Sequence, residues 1–276
     1  MNFNNNIFDN RKKLLRPLIV AHRGSYSANI PCNTLESFII AINQGADVIE
    51  LDVSKSVDGE FFVFHPGKEE VFLHTSKRIS EMTSGEVKNL RLVNQDGKTT
   101  SYRIPSLEEA LLLLKNKVYI NIDKFWTDIE GITKVIRKTG TEKQIIIKTG
   151  INKQYLAMIK KYAPDIMYMP IVKQDDDFTI NLKKEGINVI GAEVLFETDS
   201  ADVISDNFIE KMHSNNLMVW VNSIIYDEKE VIASNHTDDI SLCKNPDFGW
   251  GWLADKNVDF IQTDWTIILK NYLTKK

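Results

Sequence analysis

The chain has 276 residues, enough for one large domain or two small ones. With 34 Lys plus Arg against 38 Asp plus Glu, its net charge of −4 argues against a nucleic-acid binder and a polybasic membrane anchor. A composition 43% apolar and 26% charged excludes wholesale disorder, and two cysteines, Cys32 and Cys243, make neither a disulfide framework nor a zinc site.

The stretch up to Pro17 is polar and basic, without the apolar core of a signal peptide. No apolar run approaches the roughly 18 residues that span a bilayer. A cytoplasmic protein with no membrane span is the expectation. Next comes a short apolar run, Leu18–Ala21, ending in His22-Arg23-Gly24, and then helical spacing over Thr34–Gln44. The run Val48–Val53 holds two carboxylates, Glu50 and Asp52. It connects to Phe61–Phe64 through SKSVDGE, too short for a helix, and Asp58-Gly59 is a two-residue hairpin signal. The second run therefore returns antiparallel. A turn centred on Asp58-Gly59 places residue 65, His65, opposite Asp52, about 5 Å away on one face.

The segment Pro66–Arg103 is polar, contains the turn Asn94-Gln95-Asp96-Gly97, and reads as an insertion forming a small cap. Beyond it, helical and strand patterns alternate: Ser106–Leu114, Val118–Asp123, Asp128–Lys138, Gln144–Lys148, Lys153–Tyr162, Met167–Val172, Thr179–Glu185, Val189–Val194, Asn207–His213, Leu217–Val221 and Asp259–Gln262. Setting the hairpin strand aside leaves eight strands of βα type. That fits an α/β fold, a (β/α)8 TIM barrel of about 250 residues forming a single domain, with the insertion after the hairpin. An open doubly wound sheet is the alternative.

In such a barrel, function gathers at the C-terminal ends of the strands. Those ends carry His22-Arg23, Glu50 and Asp52, His65, Asn121-Ile122-Asp123-Lys124, Lys148, Glu193, Trp220 with Asn222, and Thr263-Asp264. Glu50 and Asp52 are two apart on a strand and share a face. Either a hard divalent cation or Lys and Arg partners on an outer face would offset their burial. Imidazoles at the same rim, His22 and His65, suit acid–base work. His74, His213 and His236 have no acidic neighbour at informative spacing and read as structural. Arg23 offers a planar fork for phosphate oxygens or for a surface ion pair.

These residues together resemble the glycerophosphodiester phosphodiesterase family. The family's His-Arg-Gly is His22-Arg23-Gly24, and its Pro-Glu-Asn-Thr is Pro31-Cys32-Asn33-Thr34. Its Gly-Ala-Asp-x-Ile-Glu-x-Asp-Val strand is Gly45 to Val53. Its Asp-Gly and strand-ending His are Asp58-Gly59 and His65, and its late Trp and Thr-Asp are similar to Trp220 and Thr263-Asp264. The resemblance covers about residues 18 to 269 and implies hydrolysis of a glycerophosphodiester to glycerol phosphate and an alcohol. One divalent cation, Mg2+ or Ca2+ with Mn2+ as a further option, would sit on Glu50, Asp52 and Asp123. His22 and His65 would be the acid–base pair, with Arg23, Lys148 and Trp220 around the phosphate. The partner implied is a small phosphodiester, not a nucleic acid.

Departures are Cys32 for the motif's Glu, and Pro66, which neither accepts a hydrogen bond nor binds a cation, for an Asp. Asp123 stands in the family's Glu-x-Lys position, and Phe125 replaces a lysine. Lys124 points away if the strand continues, and Lys148 on the following strand would replace the missing charge. The rival readings are a lyase resembling phospholipase D toxins or inositol phospholipases, and a phosphodiester-binding module without turnover.

Overall fold

The structure is a computed structural model that describes residue 3 and residues 6–225 and 229–276. Strand β1 (Leu18–Ala21) pairs in parallel with both β2 (Val48–Lys55) and β9 (Phe260–Thr263), which closes the sheet. Between them run β4 (Tyr119–Asp123), β5 (Ile145–Gly150), β6 (Met167–Val172), β7 (Gly191–Val194) and β8 (Met218–Asn222), all parallel. Only β3 (Phe61–Val63) is antiparallel, hydrogen-bonded to the top of β2. The result is an eight-stranded (β/α)8 barrel with one added hairpin strand, as the alternation implied.

The helices are α1 (Ile7–Leu14), α2 (Leu35–Asn43), α3 (Glu69–Leu73), α4 (Ser84–Asn89), α5 (Leu107–Leu114), α6 (Ile129–Thr139), α7 (Lys153–Tyr162), α8 (Phe178–Leu182), α9 (Asp206–Ser214), α10 (Asp238–Cys243), α11 (Trp252–Asp255) and α12 (Thr266–Lys275). Their apolar faces and the outward strand residues form the outer core, for example Phe38 and Ala41 of α2 on Ile19 and Ile49. No helix among the described residues is long and apolar enough to cross a membrane.

Strand periodicity fixes where the chemistry sits. Side chains two apart share a face. Inward positions read Leu18-Val20-His22, Val48-Glu50-Asp52, Tyr119-Asn121-Asp123, Ile146-Lys148, Met218-Trp220-Asn222 and Phe260-Gln262-Asp264. Apolar members pack into one inner core at the barrel's lower half. Polar members form the layer above it. The floor is closed by α1, whose Ile7 joins that core and whose Asn10 donates to the Tyr119 hydroxyl at 2.7 Å. Phe8 and Leu14 of α1 pack on the same core.

The hairpin register differs from the expected one by a residue. Val53 pairs with Val63 and Lys55 with Phe61. Gly59 N donates to Ser56 O at 3.0 Å, and Ser56 N to Glu60 O at 2.9 Å. The turn thus has three central residues, with Gly59 in the left-handed region at φ 91°. Asp52 consequently faces Phe64, whose N–H donates to Asp52 O at 3.0 Å. The insertion, residues 66–103, holds α3, α4 and a Val93–Thr99 bridge over its own small core of Leu73, Ile79, Met82, Val87 and Leu92. Phe62 and Phe64 of the hairpin complete that core.

Candidate active site

The first layer is built by the loop after β1. Arg23 and Gly24 take left-handed φ values of 57° and 79°. A Cβ on Gly24 would lie 2.5 Å from Ser37 Oγ and 2.8 Å from the Ser37 carbonyl carbon, so only glycine fits. This turn aims the Arg23 N–H at Glu50 Oε2 (2.9 Å) and brings its Nε to 2.9 Å from Asp52 Oδ2. Thr34 caps α2 by accepting from Ser37 N at 3.1 Å. That cap holds Asn33, whose side-chain amide donates to Asp52 Oδ2 at 2.9 Å.

Glu50, Asp52 and Asp123 converge, with one carboxylate oxygen of each within 4.8 Å of the others. Burial, with the Asp52 charge, pushes the Glu50 carboxyl up to about 7. Asp52 Oδ1 is buried with no hydrogen-bond partner. An all-oxygen donor set with an orphaned buried oxygen is what a hard divalent cation satisfies, so these residues fit such an ion.

A cavity of about 290 Å3 opens over this layer, lined by His22, Arg23, Glu50, Asp123, Lys124 and Lys148 among others. His22 Nδ1 meets Asp264 Oδ1 at 2.8 Å, and Tyr26 donates to the same oxygen at 3.3 Å. Burial alone would lower the His22 pKa. The Asp264 hydrogen bond and the Glu50 charge outweigh it and hold the ring above its ordinary value. Buried Arg23 is likewise held above its ordinary value by Asp52 and Glu50.

His65 reaches the site by a different path from the one its predicted register gave. The chain leaves the ladder after Phe64, and His65 Nε2 lies 3.9 Å from Asp52 Oδ1. Its Nδ1 lies 2.9 Å from the Pro66 carbonyl oxygen, so Pro66 does accept a hydrogen bond, through its main chain. Burial lowers the His65 pKa, with Asp52 opposing it in part. Its ring faces Cys32, Asn33 and Phe72 at the edge of the site rather than lining the main cavity. Burial pushes the Cys32 thiol up to about 12, so it stays neutral where the motif's glutamate would be charged.

Of the two lysines, Lys124 differs from expectation. Strand β4 stops at Asp123, and Lys124 turns back through φ 60°. Its ammonium pairs with Asp123 Oδ2 at 2.7 Å and lines the cavity rather than pointing away. Lys148 pairs with Glu193 at 2.9 Å, and Asn222 donates to the other Glu193 oxygen at 2.6 Å. Trp220 is fully buried and stacks on Phe260 at 4.9 Å. It supports Lys148, whose Nζ is 4.1 Å from its ring centre, from beneath the cavity floor.

Asp238 went unnoticed in the sequence, where it lies outside every strand end. Its Oδ1 accepts from Ser223 (2.6 Å), Trp250 (2.7 Å) and Thr263 (2.8 Å), and its Oδ2 from the Asp264 N–H (2.9 Å). It thereby fixes the turn that presents Asp264 to His22. Asp238→Asn is expected to cost about 1–3 kcal/mol in urea unfolding at pH 7, because its one amide oxygen can keep the three Oδ1 donors while the Asp264 N–H is left facing an NH2 donor. Burial raises the Asp238 carboxyl to about 6 despite those donors. A folded-state value above the unfolded one means that this group's stabilising contribution falls as pH rises from about 4 to about 6. That slope should vanish in Asp238→Asn when unfolding is compared at pH 4 and pH 6.5.

Comparison with known proteins gives a consistent result. The model of the "Glycerophosphoryl diester phosphodiesterase family" matches residues 22–223. A glycerophosphodiester phosphodiesterase of Caldanaerobacter subterraneus subsp. tengcongensis is 32% identical over 160 residues, covering 55% of this chain and 65% of that protein, just under two thirds of its length. A second, of Bacillus altitudinis, is 28% identical over 238 residues, covering 76% and 94%. The solved structure of a glycerophosphoryl diester phosphodiesterase from Parabacteroides distasonis superposes with a TM-score of 0.78 at 22% identity, over 94% of this chain and 87% of that one, a likeness of fold.

Proposed function

This chain belongs to the glycerophosphoryl diester phosphodiesterase family, and from that premise we propose that it hydrolyses a glycerophosphodiester to glycerol phosphate and an alcohol with the help of one divalent cation. The observation that carries this is the meeting of Glu50, Asp52 and Asp123 within 4.8 Å beneath a cavity also lined by His22 and Arg23.

Glu50, Asp52 and Asp123 would hold the cation, Mg2+ or Ca2+ by donor type, with Mn2+ also compatible. Bound there, such an ion polarises a phosphoryl oxygen and lowers the pKa of the attacking oxygen. The guanidinium of Arg23, fixed by Asp52, stays charged and offers its outer N–H groups to the non-bridging oxygens. Lys124 and Lys148 add positive charge at the cavity wall. One histidine takes the proton of the attacking oxygen and the other returns a proton to the departing alcohol. Asp264 serves His22 by fixing the ring and stabilising its protonated form. The Pro66 carbonyl does the orienting at His65, leaving Nε2 toward the site.

The deciding experiment is incubation of the protein with glycerophosphocholine and glycerophosphoethanolamine, with Mg2+ or Ca2+ and with EDTA, followed by phosphorus NMR. Cation-dependent release of glycerol phosphate is the expected result. A cyclic phosphate end product would instead identify a lyase. Binding without turnover on any diester would identify a phosphodiester-binding module.

A further inference from the structure

A second and larger cavity, about 580 Å3, lies on the far side of the His22–Asp264 pair from the catalytic one. Its walls come from the loop between β1 and α2, from α2 itself, from the insertion, and from the segment that leads into α12 with the start of that helix. Tyr26, Ile30, Ile40, Phe72, Val93 and Trp265 give it an apolar lining. The roof closes where Asn94 of the insertion donates to Asn29 Oδ1 of the β1–α2 loop at 3.2 Å.

Three features say what this cavity suits. It shares a wall with the catalytic site, since Asp264 lines it while holding His22, and Tyr26, another lining residue, hydrogen-bonds to the same carboxylate. Asp264 is also its one charged side chain among the described residues, with no Lys or Arg on the lining. An anionic headgroup or an anionic bilayer surface therefore finds no counter-charge here. Lastly, large apolar side chains at its mouth stand open to solvent: Tyr26 40%, Trp265 47%, Ile267 40% and Ile268 39% exposed. A contiguous apolar patch of this kind marks a ligand or partner site.

We propose that this groove seats the single hydrocarbon chain of a monoacyl glycerophosphodiester, so that a lysophospholipid is the preferred substrate of the catalytic site described above. The proposal rests on the phosphodiesterase reading and specifies its substrate. The diester group would lie against Arg23 and the acidic triad. The chain would pass over Tyr26 into the groove and bury its methylenes there. The insertion then acts on substrate choice through this groove, which Phe72, Val93, Asn94 and Gln95 line.

The test compares kcat/KM for glycerophosphocholine and for lauroyl-lysophosphatidylcholine below its aggregation concentration, in the wild-type chain and in Ile268→Glu. Ile268 is a partly exposed residue of α12, away from the catalytic groups. The expected result is a preference of about tenfold or more for the monoacyl diester, abolished in Ile268→Glu with glycerophosphocholine turnover unchanged. No preference, or an equal fall on both substrates, overturns the proposal. If neither diester is cleaved, the phosphodiesterase reading itself fails, and binding decides the groove. Monomeric dodecylphosphocholine must then shift Trp emission in a way lost in Trp265→Phe, and phosphocholine must not. Absence of that shift overturns the proposal. So does activation by neutral vesicles alone, or a fall in molar mass by light scattering in Ile268→Glu, which would assign the face to a bilayer or to a second copy of the chain.

Discussion

Glu50→Gln is expected to lower cation-dependent kcat/KM by on the order of 10³-fold, the several kcal/mol that a divalent cation contributes to a phosphoryl-transfer transition state. The substitution keeps side-chain volume and an oxygen that can accept the Arg23 N–H, so the β1–α2 loop stays in place. It removes the charge that the cation needs. A second readout is independent of turnover. A ligand that binds only the folded chain raises its stability with concentration, so wild-type melting temperature should climb with added Mg2+ or Ca2+ and that of the variant should not. Without cation the variant should be at least as stable as wild type, because a buried carboxyl pushed up to about 7 by burial and Asp52 becomes neutral. Unchanged cation affinity by calorimetry would remove Glu50 from the ligand set.

His22→Ala and His65→Ala should each lose on the order of 10²–10⁴-fold in kcat, the usual worth of a general acid or base. One ring must start neutral and the other protonated, so the wild-type pH–rate profile should be bell-shaped and each variant should lose one limb. The double variant should fall by less than the product of the two, since both act in one transition state. Cation binding should survive in each single variant, which separates proton transfer from ligation. The two sites make different demands. His22 lines the cavity and is braced by Asp264. His65 stands at its edge, 3.9 Å from Asp52. Retention of most of kcat by His65→Ala, on a diester with a poor leaving group, would leave His22 as the sole catalytic histidine.

What the sequence made legible follows from which physical rules act locally. Period-two alternation is a backbone property, so Glu50, Asp52 and Asp123 could be placed on one rim before any fold was known. Turn length is set by a balance that residue types settle less well. Asp58-Gly59 suits a two-residue turn, but Gly59 in the left-handed region closes a three-residue one, and the register moves by a residue. Lys124 departs from the strand pattern for a similar reason. Strand continuation is a default that a nearby carboxylate, Asp123, can override. Trp220 looks like a substrate contact by its position after an apolar strand, yet inward residues one layer lower are core. Asp238 has no local signature at all, since its four donors come from the residue after β8, the end of β9 with the residue after it, and the segment before α11. The apolar groove is likewise assembled from three segments far apart in the chain.

The floor of the barrel, stoppered by α1, has a consequence for how this protein can change. Ile7, the Asn10–Tyr119 bond and the Arg16–Asp47 pair at 2.6 Å all lie at the pole opposite the carboxylates. An apolar inner core that includes Val20, Val48, Ile146 and Phe260 lies between the poles. Thermal robustness and catalysis therefore occupy separate genetic compartments. Substitutions in the plug can accumulate, or be selected for hotter or colder surroundings, without retuning turnover. The loops at the upper pole are correspondingly free to drift in specificity while the plug keeps the molecule folded.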